Sequence, residues 1–205
     1  MHQDFSNHMY EIFTHFRGKS ATSITTELCD RALHPLLNYL DKNLGNLYEN
    51  LYDKSWNSVV KELWDDLLDI YETMIFPPLG TNRNPLSETE LQVELKCLEL
   101  TKVFFNGGST ESGVSIKELE NERYQQLILT EKLFHMSTEE LIDSFRAHTN
   151  QLYTDRMNHD HKGPEKAIFI TIYHILRVLQ MIHKEFNEKF VMKQMEMIAF
   201  PSTQS

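Results

Sequence analysis

The sequence is short of the residues that build disulfide frameworks and of the charge that attracts nucleic acid. Its 205 residues include 2 cysteines, and 20 Lys and Arg side chains stand against 30 Asp and Glu. Cys29 and Cys97 are far apart, which suits a reducing compartment with thiols as small buried hydrophobes. A disulfide between them is the less favoured alternative. A net charge of -10 repels nucleic acid, so we expect no nucleic-acid partner.

Long apolar runs are also missing. The most apolar stretch, residues 167–182, contains His174, Arg177 and Gln180 and is shorter than the ~20 residues of a membrane span. The first residues lack the basic start and apolar core of a signal peptide. We therefore expect a cytoplasmic protein that does not span a membrane.

Apolar residues at helical spacing are abundant. One stripe consists of Leu33, Leu37, Leu40, Leu44, Leu47 and Leu51, and a second of Trp56, Val60, Leu63, Leu67, Ile70 and Met74. Steps of three and four place each stripe on one helix face, which has to be buried against another helix. Strand-like alternation is absent from the sequence. The pattern predicts an all-α protein, an elongated and mostly antiparallel bundle of about six helices.

Helix starts can be placed from capping boxes, in which a Ser is followed three residues later by Glu. They occur at Ser87, Ser115 and Ser137. The helix from Ser115 is expected to reach about His135. We also expect the first long helix to continue through Pro35 with a kink, because its apolar positions keep phase across the proline.

Four segments follow from these patterns. Residues 1–20 form an N-terminal extension with a weak helix, and residues 21–160 form the main helical segment. Residues 161–200 are expected to be one long C-terminal helix packed on the bundle, and residues 201–205 a frayed tail.

No motif for phosphate, dinucleotide or zinc binding is present, so we predict no catalytic, cofactor or metal residue. The densest polar cluster is Asp155, His159, Asp160 and His161. These side chains could bind a divalent metal ion. A position at a helix end favours solvated side chains instead. His148 and His174 lie on apolar faces and are interpreted as histidines at the edge of the core.

Aromatic residues give the candidate partner-binding site. Tyr48, Tyr52 and Trp56 could anchor a partner protein, because aromatic residues are enriched at interface hot spots. Alternatively, together with Trp64, they fill the seam between the first two long helices. A second candidate surface contains Met181, Met192, Met195 and Met197 with interspersed lysines. It could form an adaptable groove or a peripheral membrane contact, or simply pack as a helix face.

Two stretches, LHPLLNYLDKNLGNLYENLY and VVKELWDDLLDIYETMIFPPL, resemble the second homology segment of MUN-domain proteins. These are the Munc-thirteen relatives that prime vesicles for exocytosis. The resemblance continues through LELTKVFFNGG, IKELENERYQQLI and STEELIDSF, and it covers residues 28–153 in consistent order. It implies a stacked helical bundle like those of vesicle-tethering-complex subunits, with SNARE or tethering proteins as partners. No catalytic residue comes with it.

The sequence departs from the animal members of this family in two ways. They carry a calcium- and lipid-binding C-two β-sandwich after this segment, where a long helix is predicted here. Their first homology segment, which contributes much of the syntaxin contact, has no counterpart, so no contact residue is transferred. This arrangement looks more like the fungal members. We expect a non-enzymatic module in vesicle priming and membrane trafficking, peripheral at the plasma membrane or vesicles. A scaffold in a nutrient or cAMP signalling pathway is the alternative.

Overall fold

The computed structural model describes residues 7, 9, 11–12, 16, 25–50, 53–79, 86, 88–107, 113–157, 165–182 and 186–199. Within these residues the chain forms helices and no strand, which confirms the all-α prediction. The helices are α1 (Thr26–Tyr48), α2 (Asp53–Ile75), α3 (Glu88–Phe105), α4 (Ile116–Leu119), α5 (Glu122–Phe134), α6 (Thr138–Met157), α7 (Glu165–Ile182) and α8 (Glu188–Ala199). The described residues between 7 and 16 are helical as well.

Side-chain caps account for several helix starts. Thr25 caps α1, because its Oγ1 accepts a hydrogen bond from the Leu28 backbone N at 3.2 Å. The predicted capping box of α6 is complete: the Ser137 backbone N donates to Glu140 Oε2 at 2.7 Å, and the Glu140 backbone N donates to Ser137 Oγ at 3.3 Å. These bonds lower the pKa of Glu140, chiefly through the Ser137 side chain. Of the other predicted boxes, Ser87 lies outside the described residues.

Helix α1 continues through Pro35, as predicted. Proline cannot donate the backbone hydrogen bond that the Arg31 carbonyl would otherwise receive. Both residues are exposed, so water can reach that carbonyl. Leu33 and Leu36 on the opposite face are buried. The proline is tolerated because it lies on the solvent side of the helix.

Two predicted single helices are wrong, since each is divided by an asparagine. The helix expected from Ser115 to His135 ends at Leu119 and restarts as α5, where the Tyr124 backbone N donates to Asn121 Oδ1 at 3.1 Å. The long helix expected over residues 161–200 is α7 and α8, where the Phe190 backbone N donates to Asn187 Oδ1 at 3.1 Å. An asparagine side chain that caps a new helix competes with continuation of the old one.

The chain divides into two compact units. The first contains residues 1–75 and 86–125, and the second contains residues 76–85 and 126–205. The segment boundaries predicted at residues 20, 160 and 200 lie outside the described residues and stay predictions.

The core of the first unit is built from α1, α2 and α3. Contacts set the helix directions: Trp64 and Tyr71 of α2 meet Phe105 and Thr101 of α3 in reverse order, so these two helices are antiparallel. The predicted α1 stripe is only partly buried. Leu33 and Leu40 of the stripe are buried, whereas Leu37, Leu44 and Leu47 are half-buried. The other buried residues of α1 are Cys29 and Leu36, which the stripe did not include.

The buried face of α2 also differs from its predicted stripe. Leu63 is half-buried, so its placement in the core is wrong. The fully buried residues in the middle of α2 are Trp64, Leu67, Leu68 and Tyr71. The buried arc is wider than the stripe because α2 packs against α1, α3 and α4 at once.

The second unit has its own core, formed chiefly by α6, α7 and α8. Leu141 and Leu152 of α6 are fully buried, as their spacing predicts. A cluster of buried residues joins the three helices: Leu152, Ile168, Ile172, Leu176, Val191 and Ile198.

Candidate protein-interaction site

Two of the three predicted partner-binding residues lie together. Tyr48 is the last residue of α1, and Trp56 lies in the first turns of α2. Their ring centroids are 5.3 Å apart with an interplanar angle of 75°, an edge-to-face arrangement that aromatic pairs favour. Tyr48 is 52% exposed and Trp56 is half-buried. Tyr52, the third predicted residue, lies outside the described residues.

The Tyr48–Trp56 pair opens into a groove of about 580 Å³ within the first unit, here called the aromatic groove. Its walls come from α1, α2, α3 and the turn after α3, and most of its lining is apolar. The lining residues are Asp30, Leu37, Asp41, Leu44, Gly45, Tyr48, Trp56, Val60, Leu100, Val103, Phe104, Phe105, Gly107 and Gly113. Two of the half-buried leucines of the α1 stripe, Leu37 and Leu44, are therefore groove residues.

The turn after α3 closes one end of the aromatic groove. Gly107 has φ 86°, a left-handed conformation in which glycine ends a helix at little cost. The turn is held by two hydrogen bonds, from the Asn106 side chain to the Val114 carbonyl and from the Val114 backbone N to the Phe105 carbonyl, both 2.9 Å. A Cβ at Gly113 would overlap the backbone of Asn106 and Gly107. Only glycine fits at residue 113.

The charged side chains that line the aromatic groove, Asp30 and Asp41, are both acidic. They lie on α1, three turns apart. An apolar floor with acidic residues along one wall suits a partner segment that is apolar on one face and carries basic residues beside it.

Trp64 lies in a different environment from Trp56. Its side chain is 1% exposed, and its indole Nε1 donates to the Leu119 carbonyl at 2.8 Å. Its ring packs against Phe105 and Tyr124, with centroids 5.4 and 6.3 Å away. Trp64 belongs to the core and holds α4 in place, whereas Trp56 lies at the surface.

A buried lysine reinforces the same side of the core. Lys102 Nζ contacts Glu99 and Glu120, each at 2.9 Å, and Tyr124 Oη at 2.7 Å. Burial opposes the charge on Lys102, but the hydrogen bonds to Glu120, Tyr124 and Glu99 outweigh it and raise the lysine pKa. Burial and the Glu99 contact raise the pKa of Tyr124 to about 12. This network fixes α3 against α4 and α5.

A second polar group, which the sequence analysis missed entirely, lies deeper. Glu94 of α3 is fully buried, and neither carboxylate oxygen has a hydrogen-bond partner within the described part of the chain. Burial raises its pKa well above the usual range, and the nearby Glu90 adds to the effect. Burial without a partner disfavours the carboxylate relative to the protonated acid.

Glu94 is part of a buried polar cluster with Cys29, Tyr71, Cys97 and Thr101. The Thr101 hydroxyl donates to the Cys97 carbonyl at 2.8 Å, so Tyr71 Oη donates to Thr101 Oγ1 at 3.1 Å. The two thiols are fully buried and in hydrogen-bonding contact with each other. All five residues lie on the facing sides of α1, α2 and α3.

The second unit contains a buried imidazole and guanidinium. His174 Nδ1 lies 3.3 Å from Thr130 Oγ1, and its ring centroid is 4.9 Å from that of Phe76. Arg177 donates from Nη1 to Tyr173 Oη at 2.7 Å and lies over the Phe76 ring. His174 is fully buried among these neighbours, deeper than the predicted position at the edge of the core. His148 is half-buried, and its Nδ1 lies 2.8 Å from the Ser144 carbonyl.

The methionine surface is partly exposed. A groove of about 390 Å³ in the second unit is lined by Leu79, Phe169, Ile170, Tyr173, Met192, Met195 and Glu196. Met192 and Met197 have about half of their surface exposed. Among the helices that the structure describes, none is both long and apolar enough to cross a membrane.

The alternative metal cluster is only partly described. Asp155 accepts a hydrogen bond from Gln151 Nε2 at 2.8 Å, while His159, Asp160 and His161 lie outside the described residues. Where side chains are described, no group of three or more His, Cys, Asp and Glu is placed to hold a metal ion.

Comparisons with known proteins give one distant relative. The uncharacterized protein C11E3.02c of Schizosaccharomyces pombe is 25% identical to this chain over 149 residues, which cover 68% of the chain. The alignment covers 12% of that relative, so the chain spans only a small part of its length. No protein-family model and no solved structure matches the chain.

Proposed function

We propose that this chain is a non-enzymatic protein-interaction module of the MUN type, acting in vesicle priming or membrane trafficking in the cytoplasm. It binds SNARE or tethering proteins through the aromatic groove, peripheral to the plasma membrane or vesicles. The single observation that carries the proposal is the open apolar groove in which Tyr48 and Trp56 form an edge-to-face pair. The resemblance over residues 28–153 supports the class of partner.

The aromatic groove suits an amphipathic helix. Helix-in-groove recognition places apolar side chains at helical spacing into a hydrophobic channel. Exposed Tyr48 and Val103 border the groove, and half-buried Leu37 and Leu44 lie in its wall. Burial of such apolar surface is favourable at ~25 cal/mol per Å². SNARE proteins present amphipathic helices, which is why they are the proposed occupants.

Binding assays with labelled SNARE-motif peptides and the full chain test the proposal. We expect saturable binding to at least one peptide, and Trp56→Ala should weaken it at least roughly tenfold, as hot-spot truncations do. Tyr39→Ala is the matched control, because Tyr39 is 40% exposed on α1 but lies outside the groove lining. Uniform failure of a broad SNARE and tethering-protein panel to bind folded chain contradicts the proposal, as does equal weakening by both variants.

Charge gives a second readout at the same surface. Asp30 and Asp41 attract basic residues beside the apolar face of a partner helix, and added salt screens this attraction. We expect Asp41→Asn to reduce the salt dependence of binding. In cells, proximity labelling separates a trafficking role, with vesicle-fusion neighbours, from the alternative of a scaffold in a nutrient or cAMP pathway.

A further inference from the structure

The buried polar cluster contains a thiol pair that the proposed function does not use. Cys29 lies in the first turn of α1 and Cys97 lies in the middle of α3. Both side chains have no exposed surface, and their thiols are in contact. A disulfide requires two cysteine side chains to meet, as these do across the packed helices α1 and α3.

We propose that Cys29 and Cys97 form a reversible redox modification site, which a small disulfide such as oxidised glutathione converts into an intramolecular disulfide linking α1 to α3. This proposal stands independently of the proposed function. Thiols of cytoplasmic proteins are normally reduced, and disulfides that form there are typically transient or redox-sensing.

Two features of the pair make Cys29 the residue that reacts first. The first turn of a helix opens locally at low free-energy cost, and Cys29 lies there, whereas Cys97 lies mid-helix. The hydrogen bond from the Cys97 thiol lowers the pKa of Cys29 to about 7, while the same contact and burial raise the pKa of Cys97. A thiolate is the attacking species in disulfide exchange.

The chemistry balances in two exchange steps. The Cys29 thiolate attacks one sulfur of oxidised glutathione, forming a mixed disulfide and releasing one glutathione thiolate, which takes a proton from water. Cys97 then loses its proton to water, and its sulfur attacks the Cys29 sulfur and releases the second glutathione. Two protein thiols are oxidised, and one glutathione disulfide is reduced to two thiols.

Glu94 and Tyr71 are the other titratable groups of the cluster. Glu94 lies one turn before Cys97 on α3 and adds to the rise in the pKa of Cys97, so Cys97 is the slower of the two thiols to lose its proton. Burial raises the pKa of Tyr71 well above its usual value.

The test is incubation of the full chain with excess oxidised glutathione at mildly alkaline pH, followed by intact-mass measurement and thiol alkylation under denaturing conditions. We expect a monomer lighter by two hydrogen atoms, resistant to alkylation and restored by a dithiol reductant. Because the cross-link closes a long loop, the melting temperature of the oxidised protein should rise by roughly 5–15 °C. Two alkylatable thiols, a stable glutathione adduct or a disulfide-linked dimer would overturn the proposal.

Cys97→Ala is the matched control. With the same treatment it should stop at the glutathione adduct on Cys29 and show no rise in melting temperature. If Cys97→Ala does not fold, Cys29→Ala is the control. Cys29→Ala should resist modification, because Cys97 lies mid-helix in the core. Rapid glutathione addition to Cys97 in Cys29→Ala would contradict the order of steps and the role of Cys29.

Discussion

Trp56 and Trp64 lie on the same helix, and they define two different regions of the first unit. Trp56 is half-buried and borders the aromatic groove, whereas Trp64 is enclosed and donates a hydrogen bond to the Leu119 carbonyl. The difference follows from the antiparallel packing of α2 and α3. Helix α3 ends at Phe105, which packs against Trp64, so Trp56, two turns earlier on α2, lies beyond the end of α3. In our proposal the enclosed region contributes most of the stability, and the open region is the surface that recognises a partner.

The largest expected effect is at Trp64. Trp64→Ala should lower the free energy of unfolding by about 3–5 kcal/mol, because it leaves a large cavity and removes the partner of the Leu119 carbonyl. Trp56→Ala should cost less than about 1.5 kcal/mol, since Trp56 is only half-buried. Equilibrium urea unfolding of both variants measures the contrast. Equal losses at the two sites would mean that the groove is as closed as the core.

The next largest loss of unfolding free energy is expected at Lys102. Lys102→Met removes the cation that holds Glu99, Glu120 and Tyr124, at a cost of about 1–3 kcal/mol. This loss is smaller than for a fully buried ion pair, because the carboxylates of Glu99 and Glu120 are partly exposed and screened by water. The control Lys42→Met, at an exposed position on α1, should change stability by no more than about 0.5 kcal/mol.

The same network predicts how stability responds to alkali. The pKa values of Tyr124 and Lys102 are raised in the folded protein, so their stabilising contribution is complete below the unfolded values, near 10. This contribution is lost as pH rises through the pKa values of the folded protein, and the pKa of folded Tyr124 is about 12. Lys102→Met should therefore flatten the fall in unfolding free energy above about pH 10. An unchanged alkaline profile would show that Lys102 is not coupled to folding.

The smallest expected effect is a gain at Glu94. Its pKa is raised in the folded protein, so the unfolded chain releases this proton first and stability falls as pH rises above the unfolded value of about 4.5. Glu94→Gln keeps the shape without the ionisation and should be about 1–2 kcal/mol more stable than the wild type at neutral pH. Near pH 4 the two should be nearly equal. Exposed Glu62→Gln is the control, and a destabilised Glu94→Gln at neutral pH contradicts a buried, unpartnered acid.

Local signals predicted most of the helices. Apolar spacing indicated α1 and α2, and the capping boxes at Ser87 and Ser137 indicated where α3 and α6 begin. The breaks at Asn121 and Asn187 were missed because the apolar spacing continues across both. The sequence does not show whether an asparagine continues a helix or caps a new one, because tertiary packing decides between the two.

The candidate site was predictable in part. Tyr48 and Trp56 come together because the link between α1 and α2 is short, and that is visible in the sequence. The difference between Trp56 and Trp64 was not visible. Their side chains are about 80° apart around an ideal helix, so which one is enclosed depends on where α3 ends. The burial of Glu94 and Lys102 was missed for a related reason, since charged residues within a helix are ordinarily assigned to its exposed face.

Fluorine NMR of the full chain labelled with 5-fluorotryptophan tests the central claim most directly, because it reports on both tryptophans in one protein. Assignment with the Trp56→Phe variant distinguishes the two resonances. On titration with a SNARE-motif peptide that binds, the Trp56 resonance should shift to saturation while the Trp64 resonance stays in place. A binding peptide that leaves Trp56 unmoved, or that shifts Trp64 alone, would show that the partner surface lies elsewhere on the chain.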